Sequence, residues 1–161
     1  VRAFLCVNNL GIVFAYLYAT MGKEMTGSVP FRWPIRIYYE DTDAGGVVYH
    51  ANYLKYFERA RTELLREAGV NQHTLFDDNI AFVVRHMDID FRRGARLDDA
   101  LEVVTTVSGI GRATLTFCQT LVNSEQQTLC AATVKIACVD PTVMKPKSIP
   151  TQIKSEILRD R

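Results

Sequence analysis

The 161-residue sequence has almost no excess of charge: 19 Lys and Arg stand against 18 Asp and Glu, a formal net charge of +1. Proteins that track nucleic acid leave a basic footprint, and none is present. Cysteine is sparse, at Cys6, Cys118, Cys130 and Cys138, with no C-x-x-C pair and no zinc-ligand spacing. The three histidines, His50, His73 and His86, are scattered, so no metal and no cofactor is expected. There is no G-x-S-x-G elbow, which argues against a serine hydrolase of that type. Gly109 and Gly111 lack the third glycine of a dinucleotide loop and lie between two strand-like runs. Internal repeats and low-complexity tracts are also missing.

What remains is an ordinary globular composition, 48% apolar, at a length that suits one domain with a real core. Cys118, Cys130 and Cys138 lie in apolar runs, which predicts buried, reduced, inert thiols and suits the cytoplasm. Residues 3–21 are apolar but interrupted by Asn8, Asn9 and Gly11. Three readings stand: an extension upstream of a start at Met21 or Met25, a weak membrane anchor, or a docked helix. Residues 1–30 are therefore set apart as an N-terminal extension, and 31–161 as the domain. A chain starting at Met25 is expected to fold and work normally. Across that boundary, 26–34 reads as a linker of small residues and two prolines.

From Ile35 the pattern is regular. A short strand is expected over 35–40, then a helix entered around 47–51 and running to Glu67. Tyr53, Phe57, Ala60, Leu64 and Ala68 recur along it at helical spacing, and Gly69 is a suitable stop. A short helical turn is expected over 71–78. Strands follow over 80–91, possible bulge included, then 101–108, 113–123 and 128–139. Residues 109–112 and 123–127 read as hairpin connections, 94–99 as a turn, and 151–158 as a last helix. One long helix and an antiparallel sheet make an α+β fold, with the helix across one face. The strand over 129–139 is apolar on nearly every residue, with Lys135 the exception. A half-solvated strand should alternate more cleanly, so a second subunit is expected on its other face.

The chain is organised around residues 38–61, YYEDTDAGGVVYHANYLKYFERAR. A strand, a loop with Asp41, Asp43, Gly45 and Gly46, and a helix start near His50 meet there. The open N–H groups of a helix N-terminus suit an anion or a developing oxyanion. Asp43 is a candidate base or nucleophile, and the N–H groups around Tyr49 and His50 are candidate oxyanion donors. Gly45 and Gly46 would let a carbonyl approach closely. Such a set suits a thioester, whose leaving thiolate, near the cysteine pKa of about 8.5, needs little acid assistance. The bland alternatives are an Asx turn or helix cap at Asp43, a loop-shaping Asp41, and a solvated polar residue at His50. Glu58 and Arg61 read as a structural ion pair. Arg85, Arg92, Arg93 and Arg96 form a basic cluster, a solvated edge or a contact for phosphates.

The stretch resembles the acyl-CoA thioesterases of the YbgC type, associated with the Tol-Pal system and related to the 4-hydroxybenzoyl-CoA thioesterases. The matching residues are Tyr39, Asp41, Thr42, Asp43, Gly46, Val48, Tyr49, His50, Tyr53, Leu54, Phe57, Glu58 and Arg61. The likeness continues through AFVVRHMDIDF (81–91), ARLDD (95–99) and CVDP (138–141). It implies the hotdog fold, a sheet wrapped around a central helix. It implies Asp43 as the essential carboxylate and the amide at His50 on the oxyanion; from their places in the loop, the helix start and the basic cluster, the His50 side chain is expected to orient substrate or water, and Gly46, Tyr49 and Arg93 to contact the substrate, although around 92–94 the chain departs from the family pattern. Whether Asp43 attacks the carbonyl or activates water stays open, and Glu58 is the reserve carboxylate. The expected partners are acyl-CoA, or an acyl carrier protein, with the chain a homodimer or homotetramer in the cytoplasm or at the periphery of the inner membrane. A binding or scaffold protein without turnover, or a hotdog dehydratase, are the alternatives.

Overall fold

The structure, a computed structural model, describes residues 29–70 and 72–158. Among these residues there are six strands and three helices. In chain order they are β1 (Phe31–Arg36), α1 (His50–Glu67), α2 (Gln72–Asp77), β2 (Ala81–Phe91), β3 (Ala100–Ile110), β4 (Thr114–Val122), β5 (Thr128–Asp140), β6 (Lys145–Pro146) and α3 (Thr151–Leu158). They form one antiparallel sheet in the order β1-β3-β4-β5-β2, with β6 on β5. The α+β architecture is the expected one, and α1 lies against β1 and β3. The segment 3–21 and Cys6 lie outside the described residues, as does the side chain of His73.

The five residues of the predicted stripe on α1 are all buried, none more than 7% exposed. Large apolar side chains such as Phe57 and Leu64 each contribute roughly 1.5–3 kcal/mol on burial, and the two alanines less. They meet Ile37, Val103, Leu115, Phe117 and Val134 in one core. The helix ends at Gly69, whose φ of +78° is the left-handed conformation glycine adopts without strain. Gly69 N–H donates to the Arg66 carbonyl and Val70 N–H to the Leu65 carbonyl, at 3.0 and 2.9 Å, which closes a Schellman motif. The long strand β2 has its expected bulge, between Val84 and His86.

Several expectations are corrected. Residues from Phe31 are strand rather than linker; β1 ends at Arg36, and Tyr39–Asp41 is a single 3-10 turn. Pro34 is tolerated because β1 is an edge strand, where a missing N–H breaks no ladder on the open side. Gly109 and Ile110 belong to β3, with a bulge at Ser108, so the hairpin connection is shorter than expected. The connection over 92–99 is not a simple turn. It leaves β2 at one edge and delivers the chain to β3, near the other edge. Cys118 is exposed while Cys130 and Cys138 are buried, because Cys118 points from β4 to the face away from α1. β5 does alternate: Cys130, Ala132, Val134, Ile136 and Cys138 are buried, whereas Ala131, Thr133, Lys135 and Ala137 keep partial or full exposure.

Glu58 and Arg61 form no ion pair. Glu58 accepts a hydrogen bond from the Thr62 hydroxyl at 2.8 Å. Arg61 is turned inward, 6% exposed, and donates to Gln119 Oε1 at 2.8 Å. Gln119 Nε2 donates in turn to the Phe57 carbonyl and to Thr105 Oγ1, both at 3.0 Å. Burial lowers the Arg61 pKa, and Glu58 opposes that shift. This network ties α1 to β3 and β4 in a fixed register. Gln119→Leu should cost about 2–3 kcal/mol, the scale of a lost bond to a charged group. Adding Arg61→Met should recover part of that loss, because no unpaired buried charge then remains. Urea denaturation of the single and double variants measures both.

Candidate active site

The loop before α1 is a tight hairpin. Thr42 and Val48 form a bridge, Tyr49 N–H donates to the Asp41 carbonyl at 2.8 Å, and Asp43 N–H donates to the Val47 carbonyl at 2.9 Å. Gly46 N–H closes the tip on the Asp43 carbonyl at 3.0 Å. Gly46 has φ +72°, the left-handed position that a three-residue hairpin loop requires. A side chain on Gly45 would put a Cβ 3.0 Å from Asp43 Oδ1, so this glycine leaves room for the carboxylate itself.

Asp43 is exposed at the tip. Its Oδ1 accepts the Gly45 N–H at 2.8 Å, an Asx turn that orients the carboxyl group. Among the described residues Oδ2 accepts no bond and is open to an incoming molecule. Asp43 is therefore not the helix cap. That place is taken by Tyr49, which makes no side-chain capping bond. Ser, Thr, Asp or Asn would normally satisfy the first N–H groups here. With an aromatic residue instead, no hydrogen bond engages the His50 and Ala51 N–H groups among the described residues. They point out of the helix end with its partial positive charge.

The aromatic side chains form a chain running inward. The Tyr49 and His50 rings lie 4.4 Å apart, His50 meets Phe91 at 6.4 Å edge-on, and Phe91 meets Tyr53 at 5.4 Å. Phe91 closes β2, so the far edge of the sheet braces the His50 imidazole. Tyr53 Oη accepts the Ala95 N–H at 3.0 Å, and Val48 N–H donates to the Ala95 carbonyl at 2.8 Å. Ala95, fully buried, thus ties the crossing segment 92–99 to both the hairpin and the helix. Asn52 Nδ2 adds a bond to the Asp41 carbonyl at 2.9 Å.

Of the predicted residues, Asp43, Gly46, Tyr49 and His50 fall on one continuous hairpin and helix start. Arg93 stands apart, on the crossing segment, where Nη1 donates to Gln127 Oε1 at 3.2 Å. It lines an open cavity of about 310 Å³ with Gly94, Asp99, Asn123 and Gln127. The cavity adjoins the hairpin, since a Cβ on Gly94 would lie 2.9 Å from Val47 Cγ1. Arg92 is engaged with Asp90 at 2.8 Å, and His86 with Asp88 at 2.9 Å. No group of His, Cys, Asp and Glu able to hold a metal occurs among the described residues. The sequence reading missed Asn52, Phe91 and Ala95 as site neighbours. An asparagine beside the apolar stripe of α1 was the available signal for the first.

The sequence matches the family described as the thioesterase-like superfamily over residues 38–157. It is 50% identical over 126 residues to a protein of Escherichia coli named acyl-CoA thioester hydrolase YbgC, covering 78% of this chain and 94% of that one. It is 52% identical over 126 residues to the acyl-CoA thioesterase YbgC of Haemophilus influenzae, covering 78% and 92% of the two chains. The crystal structure of a probable thioesterase from Bartonella henselae is similar with a TM-score of 0.68 and 36% identity, over 76% of this chain and 100% of that one.

The Asx turn makes one prediction about stability. Asp43→Asn keeps an acceptor for the Gly45 N–H and should change unfolding free energy by no more than about 0.5 kcal/mol. Asp43→Ala removes that acceptor and should cost about 0.5–1.5 kcal/mol. Chemical denaturation of the two variants separates them.

Proposed function

The chain belongs to the thioesterase-like superfamily and is a thioester hydrolase; we propose that it cleaves acyl-CoA with Asp43 as base and the His50 amide as oxyanion donor. The observation that supports this most directly is the pairing of an exposed, unengaged carboxylate oxygen with an uncapped helix N-terminus on one rigid hairpin.

The acyl carbonyl docks with its oxygen on the His50 N–H, and Gly45 and Gly46 leave its path free. Asp43 Oδ2 takes a proton from a water molecule as the water oxygen bonds to the carbonyl carbon. The tetrahedral oxyanion gathers its charge at the helix end, where preorganised donors stabilise it. Collapse breaks the C–S bond, and the proton on Asp43 passes to the departing thiolate. The imidazole of His50, braced by Phe91, orients the substrate or the water, and Tyr49 flanks it. Arg93, in its cavity beside the crossing segment, is the contact for a phosphate of coenzyme A. The same phosphate chemistry would serve an acyl carrier protein, and assays with both carriers distinguish them. Among the described residues no helix is long and apolar enough to cross a membrane. An acyl-CoA substrate makes the cytoplasm the compartment we propose.

We also propose a homodimer or a dimer of dimers. Among the described residues β2 is an edge strand of 11 residues pairing only with β5, with Val84 and Phe91 half exposed along it. A long unpaired edge is a template for another chain, and the exposed face of β5 offers a second contact.

Asp43→Asn should lower kcat by roughly 10²–10⁴, the scale of a general-base contribution. KM should change little, and Glu58→Gln should retain the parent rate. Acyl-CoA hydrolysis followed by thiol release is the assay, and a folded Asp43→Asn enzyme at the parent rate contradicts the proposal. Sedimentation at micromolar concentration should show no monomer; a stable, active monomer would refute the assembly.

A further inference from the structure

The turn between β4 and β5 takes no part in the mechanism above, yet it borders the Arg93 cavity. Asn123 closes this turn. Its Oδ1 accepts the Glu125 and Gln127 N–H groups at 3.1 and 2.9 Å. Its N–H donates to the Gln127 carbonyl at 3.2 Å, and its carbonyl accepts the Gln126 N–H at 2.9 Å. Two residues past Gln127, the Leu129 carbonyl accepts the Arg92 and Arg93 N–H groups at 2.8 and 3.0 Å. The backbones that carry Gln127 and Arg93 are thus tied together, and both residues line the same cavity.

The side chains extend that tie. Arg93 Nη1 donates to Gln127 Oε1 at 3.2 Å. Gln127 Nε2 donates to Glu125 Oε2 at 2.9 Å, which turns the amide so that its oxygen is left for Arg93. Asn123 Nδ2 donates to the same oxygen at 3.4 Å. Arg32, Arg66 and Arg92 pair instead with carboxylates, those of Glu102, Glu63 and Asp90. A carboxylate partner offsets the charge of a guanidinium, whereas a neutral amide oxygen holds the group and leaves its charge intact. A guanidinium has five N–H donors. Among the described residues only the bond to Gln127 engages that of Arg93, so the other donors are free for an oxyanion.

We propose that Gln127 is a positioning residue for substrate recognition: it holds the Arg93 guanidinium in place, still fully charged, so that a phosphate of coenzyme A meets it already oriented. A side chain ordered in advance loses less rotamer freedom on binding. The proposal rests on the reading of Arg93 as the phosphate contact and says how that contact is prepared.

The test uses the full chain with Gln127→Ala, Gln127→Glu, Arg93→Ala and the double variant Gln127→Ala with Arg93→Ala. Both positions are exposed, so the variants should melt with the parent. Calorimetry reads the affinity for coenzyme A. Thiol release reads kcat and KM for an acyl-CoA and for the matching acyl-N-acetylcysteamine, a thioester without phosphate. Gln127→Ala should weaken coenzyme A and raise the acyl-CoA KM about threefold to tenfold, the scale of one hydrogen bond, with kcat within about twofold. The preference for acyl-CoA over the truncated thioester, as a ratio of kcat/KM values, should fall by the same factor. The double variant should bind coenzyme A no more weakly than Arg93→Ala alone, because Gln127 acts through Arg93. Gln127→Glu still holds the guanidinium but offsets its charge, and should weaken coenzyme A more than Gln127→Ala does. Parent affinity in Gln127→Ala or Gln127→Glu, or losses that add in the double variant, would overturn the proposal. So would an equal loss on both thioesters, which marks damage to the turn. If Arg93→Ala loses affinity and Gln127→Ala does not, the Arg93 reading stands and the proposal alone falls. If Arg93→Ala keeps the parent affinity, both fall. If the parent releases no thiol from acyl-CoA, the titrations with coenzyme A still decide, and a parent that binds no coenzyme A overturns both readings.

Discussion

The site depends on the short antiparallel pairing of residues 41–43 with 47–49. Its backbone bonds hold the carboxylate of Asp43 and the start of α1 in one rigid body. The helix cannot rotate about its axis without breaking the Tyr49 bond to Asp41. The tip cannot open without breaking the Asp43 bond to Val47. Val48, between the two, is anchored from outside by Ala95. The proposed base and oxyanion donor need fixed separation more than they need strength, because misplacement by an ångström costs orders of magnitude in rate. A backbone ladder supplies that separation more reliably than side chains, which carry rotamer freedom.

Local preference is broken where we propose the chemistry to lie. An aromatic residue at the cap position leaves two amides open among the described residues, a destabilising choice for a helix considered alone. The surrounding structure compensates. Asn52 and Tyr53, from the first turn of α1, reach back to Asp41 and Ala95. Further along, Arg61 fixes the helix to β3 and β4 through Gln119 and Thr105. The long apolar stripe supplies the gross attraction between helix and sheet, yet apolar contact is non-directional and would tolerate some sliding. The polar network does not, because a shift would leave a buried guanidinium without its acceptor.

The sheet contributes by its connections. Because β2 sits at the edge opposite β1, the chain must cross to reach β3. That crossing segment passes beneath the hairpin and brings Ala95 to Val48 and Tyr53. Gly94 is required at the closest approach, where any side chain would collide with Val47. The same geometry puts Phe91, the last residue of β2, against His50. Residues some forty positions apart in sequence meet because of strand order.

The α+β class, the span of α1, its buried stripe, its glycine stop and the bulged strand were readable from periodicity and turn residues, which are local physics. The stretch 38–61 also brought its proposed site residues together, since a carboxylate, two glycines and a helix start are close in sequence and could not be far apart in space. Pairing partners, by contrast, were invisible. Glu58 and Arg61 have the spacing of an ion pair, but the interior of the sheet offered Arg61 a buried amide instead. Cys118 stands among apolar residues, but the two-residue period of β4 turns it outward. Pro34 resembled a linker residue until the sheet order made β1 an edge. The roles of Asn52, Phe91 and Ala95 follow from contacts between residues distant along the chain. Sequence alone determined which residues could do the chemistry and on which elements they sit. Only the tertiary structure decided what holds them still, because holding is done by groups distant along the chain, and distance along the chain says nothing about distance in space.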